Sequence, residues 1–389
     1  MRQINETLAE LVGINSVSSH SNAEIIEYLE RCCYEIGLVT QRFPYQDEHG
    51  LEKINLIALA GTEFSETTEV ELALVGHTDT VPFDPHWLDA THLTQRDGKL
   101  YGRGSCDTKG FIAAALRAVE MVDLSQLKKP LALIFTADEE TGLRGAKQLA
   151  QEKRLHVRYS IVGEPTSLKP IRAGKGYSLA EVIVKGREAH SAYPALGASA
   201  VFRAARLINR LEGIATKLQS DRHDAFDPPY TTLNIGLIHG GSAKNVLAGE
   251  CRFTLEWRPI PSQPSDHLLQ LFNAAIEEEM QADPDFRCEV DASRADSGFE
   301  TSVDSPLIKL MEKAAGVQAG TVAFGTEASQ MMELGSEAVV IGPGDIREAH
   351  RTGEFVPVDE LEQCAEILKE AIEHLCLGLP RQDEHDFQD

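Results

Sequence analysis

The chain has 389 residues, 42% of them hydrophobic, which is enough to bury more than one core and favours two domains over one. Its formal net charge of −24 argues against nucleic acid or an anionic membrane surface as a partner, because both are bound through clustered Lys and Arg. No apolar run approaches the roughly 20 residues of a membrane span, and the N-terminus carries charges where a signal peptide has an apolar core. We therefore expect a cytoplasmic protein.

The seven cysteines are scattered along the sequence, and no two of them form a C-x-x-C pair. This pattern predicts reduced thiols rather than a disulfide framework, and it provides no thiolate zinc site. Any bound metal must therefore be held by oxygen and imidazole ligands.

Strands and helices alternate over residues 1–176, which is typical of a wound α/β layer. Apolar runs predict its strands, at residues 53–60, 70–75, 130–136 and 158–162. Helical periodicity predicts its helices, at residues 2–13, 22–38, 111–121 and 143–152. The same alternation of helices and strands returns near residue 305, with a helix at 306–315, a strand at 337–341 and a helix at 358–377.

The pattern changes after Lys175, where alternating, half-exposed strands replace the fully apolar runs. This stretch contains predicted strands at 177–184, 232–238, 250–257 and 286–292, and helices at 197–218 and 265–281. We predict a small α+β domain at residues 177–292, inserted into a larger domain made of residues 1–176 and 293–389. The polar tail, residues 379–389, is expected to fray.

Side chains that can bind metal follow the ends of four predicted strands, and one more lies in the glycine-rich loop 98–110. In chain order they are His77, Asp79, Asp107, Glu139, Glu140, Glu164 and His350. Because parallel strands end at the same edge of a sheet, we expect these side chains to lie close together.

Two histidines among carboxylates suit a hard-to-borderline dication, zinc most readily. Two ions about 3.5 Å apart would need a bridging carboxylate, and a further free carboxylate would take a proton from water. Each residue alone has a plainer explanation: a histidine at a strand end is more often structural, Glu139 and Glu140 suit a helix start, and Asp107 suits a helix cap. Their joint position at one predicted edge favours a site.

Five motifs resemble one family of binuclear zinc hydrolases, the family that includes acetylornithine deacetylase, succinyl-diaminopimelate desuccinylase and aminoacylase. They are GHTDTVP (76–82), YGRGSCDTKG (101–110), TADEETG (136–142), GEPTSL (163–168) and GPGDIREAHRTGEFVPVDEL (342–361). The resemblance extends over nearly the whole chain up to the tail. It implies a zinc-peptidase-like α/β fold, with a mixed sheet flanked by helices in a catalytic metal-binding domain, and an inserted α+β dimerisation or lid domain.

The resemblance also implies roles for the clustered residues. The implied ligands are His77 and Glu164 for one zinc ion, Glu140 and His350 for the other, and Asp107 as the bridge between them. Glu139 would be the general base, and the peptide bond after the bridging aspartate would be cis. Asp79 would orient His77, since residues i and i+2 share a face of a strand.

In the inserted domain, the resemblance places His190 where relatives supply an imidazole from the partner subunit to stabilise an oxyanion. Asn245 and Arg258 match family positions that bind substrate, and the planar guanidinium group of Arg258 suits bidentate binding of a carboxylate. Without the motif, a surface salt bridge would be the preferred explanation for Arg258. Thr326 and Glu327 match a loop that contacts substrate in the family, and Lys175 and Tyr193 are further candidates for substrate binding.

The resemblance implies a homodimer that uses two divalent ions, zinc or cobalt, to hydrolyse a small N-acyl amino acid. Four stretches favour cleavage of N2-acetyl-L-ornithine to ornithine and acetate, a step of arginine biosynthesis: TADEETG, GEPTSL, GPGDIREAH and residues 232–241. Tyr193 and the pair Phe324 and Gly325 depart from that pattern, so desuccinylation or another N-acyl amino-acid hydrolysis is the alternative. A non-catalytic dimer that binds an acylated amino acid is more remote, because it would have no need of Glu139.

Overall fold

The computed structural model describes residues 3–378, so the tail predicted to fray lies outside the described residues. The chain forms two compact units. The first unit contains the chain up to Arg172, the segment Thr301–Gly320 and the chain from Thr326 onward, and the second contains Ala173–Glu300 and Thr321–Gly325. These limits differ by a few residues from the predicted domain boundaries. A compact unit need not fold independently, so the two predicted domains remain predictions.

The strands of the described residues are β1 (Val39–Gln46), β2 (Glu52–Ala60), β3 (Thr68–His77), β4 (Thr94–Arg96), β5 (Lys99–Tyr101), β6 (Leu131–Thr136), β7 (Leu155–Val162), β8 (Ile171–Gly174), β9 (Ser178–Lys185), β10 (Thr232–Gly240), β11 (Glu250–Arg258), β12 (Arg287–Ala295), β13 (Phe299–Glu300), β14 (Gly320–Val322), β15 (Glu337–Val340) and β16 (Phe355–Pro357).

The α-helices of the same residues are α1 (Ile4–Gly13), α2 (Ala23–Glu35), α3 (Lys109–Glu120), α4 (Arg144–Glu152), α5 (Ala200–Leu218), α6 (His267–Ala282), α7 (Pro306–Ala315), α8 (Ala328–Glu333) and α9 (Val358–Ile372). Helix α9 continues into a π-helical turn, Glu373–Leu377, so the predicted helix at 358–377 changes its hydrogen bonding near its end.

The first unit is built on a mixed sheet with the strand order β1-β2-β6-β3-β7-β15. Strands β3, β6, β7 and β15 are parallel to one another, whereas β1 and β2 run antiparallel to their neighbours. Strand β6 is buried along its whole length, as expected of a parallel strand covered on both faces. Helices α1, α2, α3, α7 and α9 contribute to one hydrophobic core with the sheet. The predicted α/β fold with a mixed sheet flanked by helices is confirmed.

The register of the parallel strands aligns their carboxyl ends. Val75 of β3 lies opposite Ile134 of β6 and Val162 of β7, and Val162 lies opposite Val340 of β15. Each of these residues is within a few positions of the end of its strand. The loops that follow the four strands therefore leave the sheet at one edge.

The second unit contains an antiparallel sheet with the strand order β10-β11-β9-β12. Helices α5 and α6 bury one face of this sheet, so that burial alternates along β9 and β11. This alternation is the pattern that predicted half-exposed strands here. Strand β10 is at an edge of the sheet, and most of its residues are exposed.

The edge strand β1 was missed by sequence reasoning. Its sequence, VTQRFPYQ, is mostly polar, and Pro44 cannot donate a hydrogen bond from its nitrogen, which confines it to an edge position. The predicted helix at 22–38 ends earlier, at Glu35, and Gly37 has a φ of +86° that an L side chain rarely adopts. The seven cysteines are free thiols, as predicted. Within residues 3–378, no helix has both the length and the apolar character to cross a membrane.

Candidate metal centre

His77 is the last residue of β3, and its imidazole is buried. Its Nδ1 lies 3.0 Å from the backbone oxygen of Asp79. Because a carbonyl oxygen only accepts hydrogen bonds, Nδ1 carries a proton, and Nε2 is the ring nitrogen left to bind a metal ion. That Nε2 faces the carboxylate of Asp107 at 3.0 Å, so the ring presents a ligand atom to the sheet edge.

The carboxylate of Asp107 lies between the two histidines. Its Oδ1 is 3.0 Å from Nε2 of His77, and its Oδ2 is 3.1 Å from Nε2 of His350. The same His350 nitrogen lies 3.0 Å from Oε1 of Glu140. The peptide bond between Asp107 and Thr108 is cis, as the family resemblance implied. Each oxygen of Asp107 thus faces a different imidazole, which is the arrangement of a bridging carboxylate.

Ligand atoms gather in two groups that share Asp107. One group is His77, Asp107 and Glu164, the other is Asp107, Glu140 and His350, and within each group the atoms lie within 4.8 Å of one another. Gly163 permits the position of Glu164, because a Cβ at Gly163 would lie 2.2 Å from the ring of Phe111 in α3. Three carboxylates and two imidazoles form a donor set that suits zinc or a similar dication at both positions.

The electrostatics of this cluster favour bound cations. Burial and the surrounding carboxylates raise the pKa of Glu164 well above its usual value, and burial has the same effect on the pKa of Glu139. Hydrogen bonds to Asp107 and Glu140 raise the pKa of His350 to about 10. Burial opposes the charge of His77, but its hydrogen bond to Asp107 raises its pKa well above the usual value. Without a metal, protons must supply the positive charge that these carboxylates need.

The expected geometry of Asp79 was wrong. Strand β3 ends at His77, so the two residues do not share a strand face, and the Asp79 carboxylate is 3.7 Å from Nδ1 of His77. The backbone oxygen of Asp79 contacts the ring instead. The carboxylate accepts hydrogen bonds from the backbone nitrogens of Glu139 (3.1 Å) and Glu140 (3.3 Å) and from the hydroxyl of Ser18 (2.7 Å). Asp79 therefore connects the loop of His77 to that of Glu139.

Two of the plainer explanations do not fit the structure. The N-cap of α3 is Thr108 rather than Asp107. Helix α4 begins at Arg144, so Glu139 and Glu140 precede it in a loop and are not at its first turn. Both glutamates have partly buried side chains and belong to a possible ligand group with His77.

Glu354 was missed by sequence reasoning. Its Oε1 accepts hydrogen bonds from the backbone nitrogens of Cys106 (2.9 Å) and Asp107 (3.1 Å), and its Oε2 lies 2.5 Å from a guanidinium nitrogen of Arg103. Arg103 and Glu354 are both buried. The only available signal was the position of both residues inside the motifs that also contain Asp107 and His350.

Thr326 and Glu327, in the loop before α8, belong to the first unit and are buried. The Thr326 hydroxyl accepts a hydrogen bond from the backbone nitrogen of Ala328, which is a structural contact. Burial raises the pKa of Glu327 to about 7. The predicted substrate contact of Thr326 stays a prediction.

Most of the other predicted substrate-binding residues lie in the second unit. His190 is exposed and forms an isolated β-bridge with Val246, next to Asn245. The ring of Tyr193 is 6.0 Å from that of His190. The structure thus places His190, Tyr193 and Asn245 near one another, but their roles stay predictions.

Arg258 is partly buried, and its Nε lies 3.0 Å from the carboxylate of Glu256. Its guanidinium is also 4.7 Å from the ring centroid of Tyr177. The ion pair that sequence reasoning offered as the alternative for Arg258 is therefore present. Lys175 is buried and donates to the backbone oxygens of Pro228 (2.7 Å) and Tyr230 (2.6 Å), which are structural contacts, and its predicted contact with substrate stays a prediction.

Known proteins resemble this chain over almost its full length. A family model described as peptidase family M20/M25/M40 matches residues 73–374. An acetylornithine deacetylase of Myxococcus xanthus is 49% identical over 373 residues, which are 96% of this chain and 97% of the relative. An acetylornithine deacetylase of Yersinia pestis is 35% identical over 93% of each chain. A solved tripeptidase structure from Staphylococcus aureus has a TM-score of 0.74 and 25% identity, covering 96% of this chain and 97% of that one. The family resemblance inferred from the five motifs is confirmed.

Proposed function

The chain belongs to peptidase family M20/M25/M40, and we propose that it is a binuclear metal-dependent amidohydrolase that cleaves N2-acetyl-L-ornithine to ornithine and acetate. The reaction type is inferred chiefly from the Asp107 carboxylate, which lies between two imidazoles, and from Glu139, which is grouped with His77 and Glu140. The substrate rests on similarity to relatives named acetylornithine deacetylase. A cytoplasmic location and a place in arginine biosynthesis belong to the same proposal.

Five side chains would hold two metal ions, most readily zinc, with cobalt as the alternative. His77 and Glu164 would hold one ion, Glu140 and His350 the other, and Asp107 both, in agreement with the two ligand groups. When bound, such ions polarise the amide carbonyl and lower the pKa of a water molecule.

Glu139 is the proton carrier in this proposal. It takes a proton from the attacking water and gives it to the amide nitrogen, so that the C–N bond breaks and the ornithine amine leaves. The hydrogen bond between its backbone nitrogen and Asp79 holds the residue in place. Burial raises the pKa of its carboxyl group, which suits a group that must both accept and release a proton.

We also propose a homodimer that forms through the second unit. Apolar side chains are exposed on this unit, and Phe202, at 72%, is the most exposed of them among the described residues. Leu237 and Ile238 are exposed on the edge strand β10, and both exposed apolar groups and unpaired strand edges are features that a partner covers. In the dimer, His190 of the partner subunit stabilises the oxyanion, Arg258 binds the substrate carboxylate, and Asn245 also contacts the substrate.

A substrate panel tests this proposal. We expect the zinc-loaded enzyme to have a kcat/KM at least about 100-fold higher for N2-acetyl-L-ornithine than for N-succinyl-diaminopimelate or N-acetylmethionine, since a site built for one polar substrate rejects analogues that leave its buried groups unpaired. Preference for the succinyl substrate would favour the desuccinylase alternative, to which Tyr193 points. If the protein binds two metal ions but hydrolyses none of these substrates, the alternative of a non-catalytic binding protein is favoured.

A further inference from the structure

Lys53 is a buried lysine in the apolar strand β2, with a side chain only 1% exposed. Its ammonium group contacts three oxygens. It lies 2.9 Å from Oδ1 of Asp138 and donates hydrogen bonds to the backbone oxygens of Ser18 (2.5 Å) and His20 (2.8 Å). A buried charge with this set of partners is costly to remove, because each partner would be left unpaired.

Asp138 immediately precedes the proposed base, Glu139, and the proposed ligand, Glu140. Its backbone has a φ of +56°, in the left-handed region that L residues rarely adopt and that the surrounding structure must hold. The carboxylate is held on both sides, by Lys53 at Oδ1 and by the Tyr45 hydroxyl, which donates to Oδ2 at 2.9 Å. These two contacts fix the position of Asp138, and with it the start of the loop that contains Glu139 and Glu140.

The same lysine is connected to the other side of this loop. Ser18, whose backbone oxygen accepts from Lys53, donates its hydroxyl to Asp79, and Asp79 accepts hydrogen bonds from the backbone nitrogens of Glu139 and Glu140. The contacts therefore form a closed ring from Lys53 through Asp138 and the loop to Asp79 and back through Ser18.

We propose that Lys53 is a positioning residue for hydrolysis, which sets the places of Glu139 and Glu140 through Asp138 and Ser18. This inference rests on the proposed function in one respect, the roles given to those two glutamates. Displacement of a reacting group by about 1 Å costs up to about 100-fold in rate, so a contact behind the loop is enough to govern turnover.

The test replaces Lys53 with methionine, which has a similar length and no charge. In the full-length protein with excess zinc, we expect Lys53→Met to lower kcat about 10- to 100-fold while KM stays within about twofold. The substrate is whichever N-acyl amino acid the wild type hydrolyses fastest, so a different preferred substrate contradicts the proposed function and leaves this test intact.

The matched control is Arg203→Met in the second unit. Arg203 is also a buried cation that contacts one carboxylate, Asp283 at 2.7 Å, and two backbone oxygens, those of Lys185 and Asp285. We expect it to lower the melting temperature as Lys53→Met does but to leave kcat unchanged. An equal kcat in the two variants would overturn the proposal, because Lys53 would then contribute only stability.

Hydrogen exchange provides a readout that needs no activity. Lys53→Met should accelerate amide exchange more in residues 136–143 than in the strands β3 and β7, whereas a purely structural role predicts the same acceleration throughout. If Lys53→Met does not fold, Tyr45→Phe removes a single hydrogen bond to Asp138 and should lower kcat about threefold to tenfold, the worth of one hydrogen bond. Unchanged exchange in 136–143, or an unchanged kcat in Tyr45→Phe, contradicts the proposed role.

Discussion

The metal-binding candidates of the first unit and the substrate-binding candidates of the second differ in how the chain brings them together. In the first unit, aligned parallel strands carry His77, Glu140 and Glu164 to one edge, and hydrogen-bond distances of about 3 Å join His77, Asp107 and His350. In the second unit, His190 is an exposed loop residue, and Arg258 already pairs with Glu256. The first set is thus organised within one compact unit. The second set needs a substrate, and by our proposal a partner subunit, to acquire its function.

The largest expected effect comes from the residue at the centre of the first set. Asp107→Asn removes the charge that both ligand groups share, so we expect both metal positions to weaken and hydrolysis to fall below detection. Removal of metal by a chelator should have the same result, and added zinc should restore the wild type only. Metal content by atomic emission and turnover on the same sample provide the measurement.

The control for Asp107→Asn is Asp296→Asn, which alters a buried aspartate in the second unit. It should keep two metal ions per chain and normal turnover. Full activity of the metal-free wild type, or of Asp107→Asn, would rule out the two-metal site.

Glu139→Gln separates metal binding from proton transfer. The amide keeps the size of the side chain but cannot take a proton, so we expect two bound metal ions and a loss of about 10²- to 10⁴-fold in kcat. Glu279→Gln, at another buried glutamate, should leave kcat unchanged. A near-normal kcat in Glu139→Gln would assign the base to a different residue.

Sequence reasoning found the metal candidates because two strong signals coincided. Fully apolar runs such as Leu131–Thr136 identify buried parallel strands, and the direction of such strands determines where the following residues lie. It missed the contacts that hold these residues. Glu354 is 247 positions from Asp107, and Lys53 is a single charged residue in an apolar strand, so no local pattern connects either residue to its partner. The strand-face geometry expected for His77 and Asp79 was wrong because β3 ends at His77 in a turn that periodicity does not reveal, and the role of Asp79 stays a prediction.

The second set was identified by resemblance alone, and its dimer is open to a direct test. Phe202→Asp places a charge at an exposed apolar position on α5, so we expect a monomer by sedimentation equilibrium. Because His190 of the partner subunit would then be absent, kcat should fall about 10²- to 10³-fold, as in the loss of an oxyanion donor. Tyr34→Asp, at a comparably exposed aromatic residue of the first unit, should leave both the dimer and kcat unchanged.

His190→Ala completes this comparison, since it should lower kcat to the same extent without dissociating the dimer. A wild-type protein that sediments as a monomer, or a monomeric Phe202→Asp with full activity, would remove His190 from the mechanism. In that case the second unit would contribute binding contacts only.

The smallest expected effect is at Arg258, which binds the substrate carboxylate in our proposal. Lysine keeps the charge but loses the planar fork, so Arg258→Lys should raise KM about 10- to 100-fold with little change in kcat. Arg252→Lys is the matched control, because Arg252 is on the same strand and also pairs with a glutamate, Glu250. If the two variants have the same KM, the pair of Arg258 with Glu256 is a surface salt bridge, and the carboxylate must be bound elsewhere. An elevated KM in Arg258→Lys alone would make this arginine part of the substrate site, although nothing in its contacts within the second unit requires it.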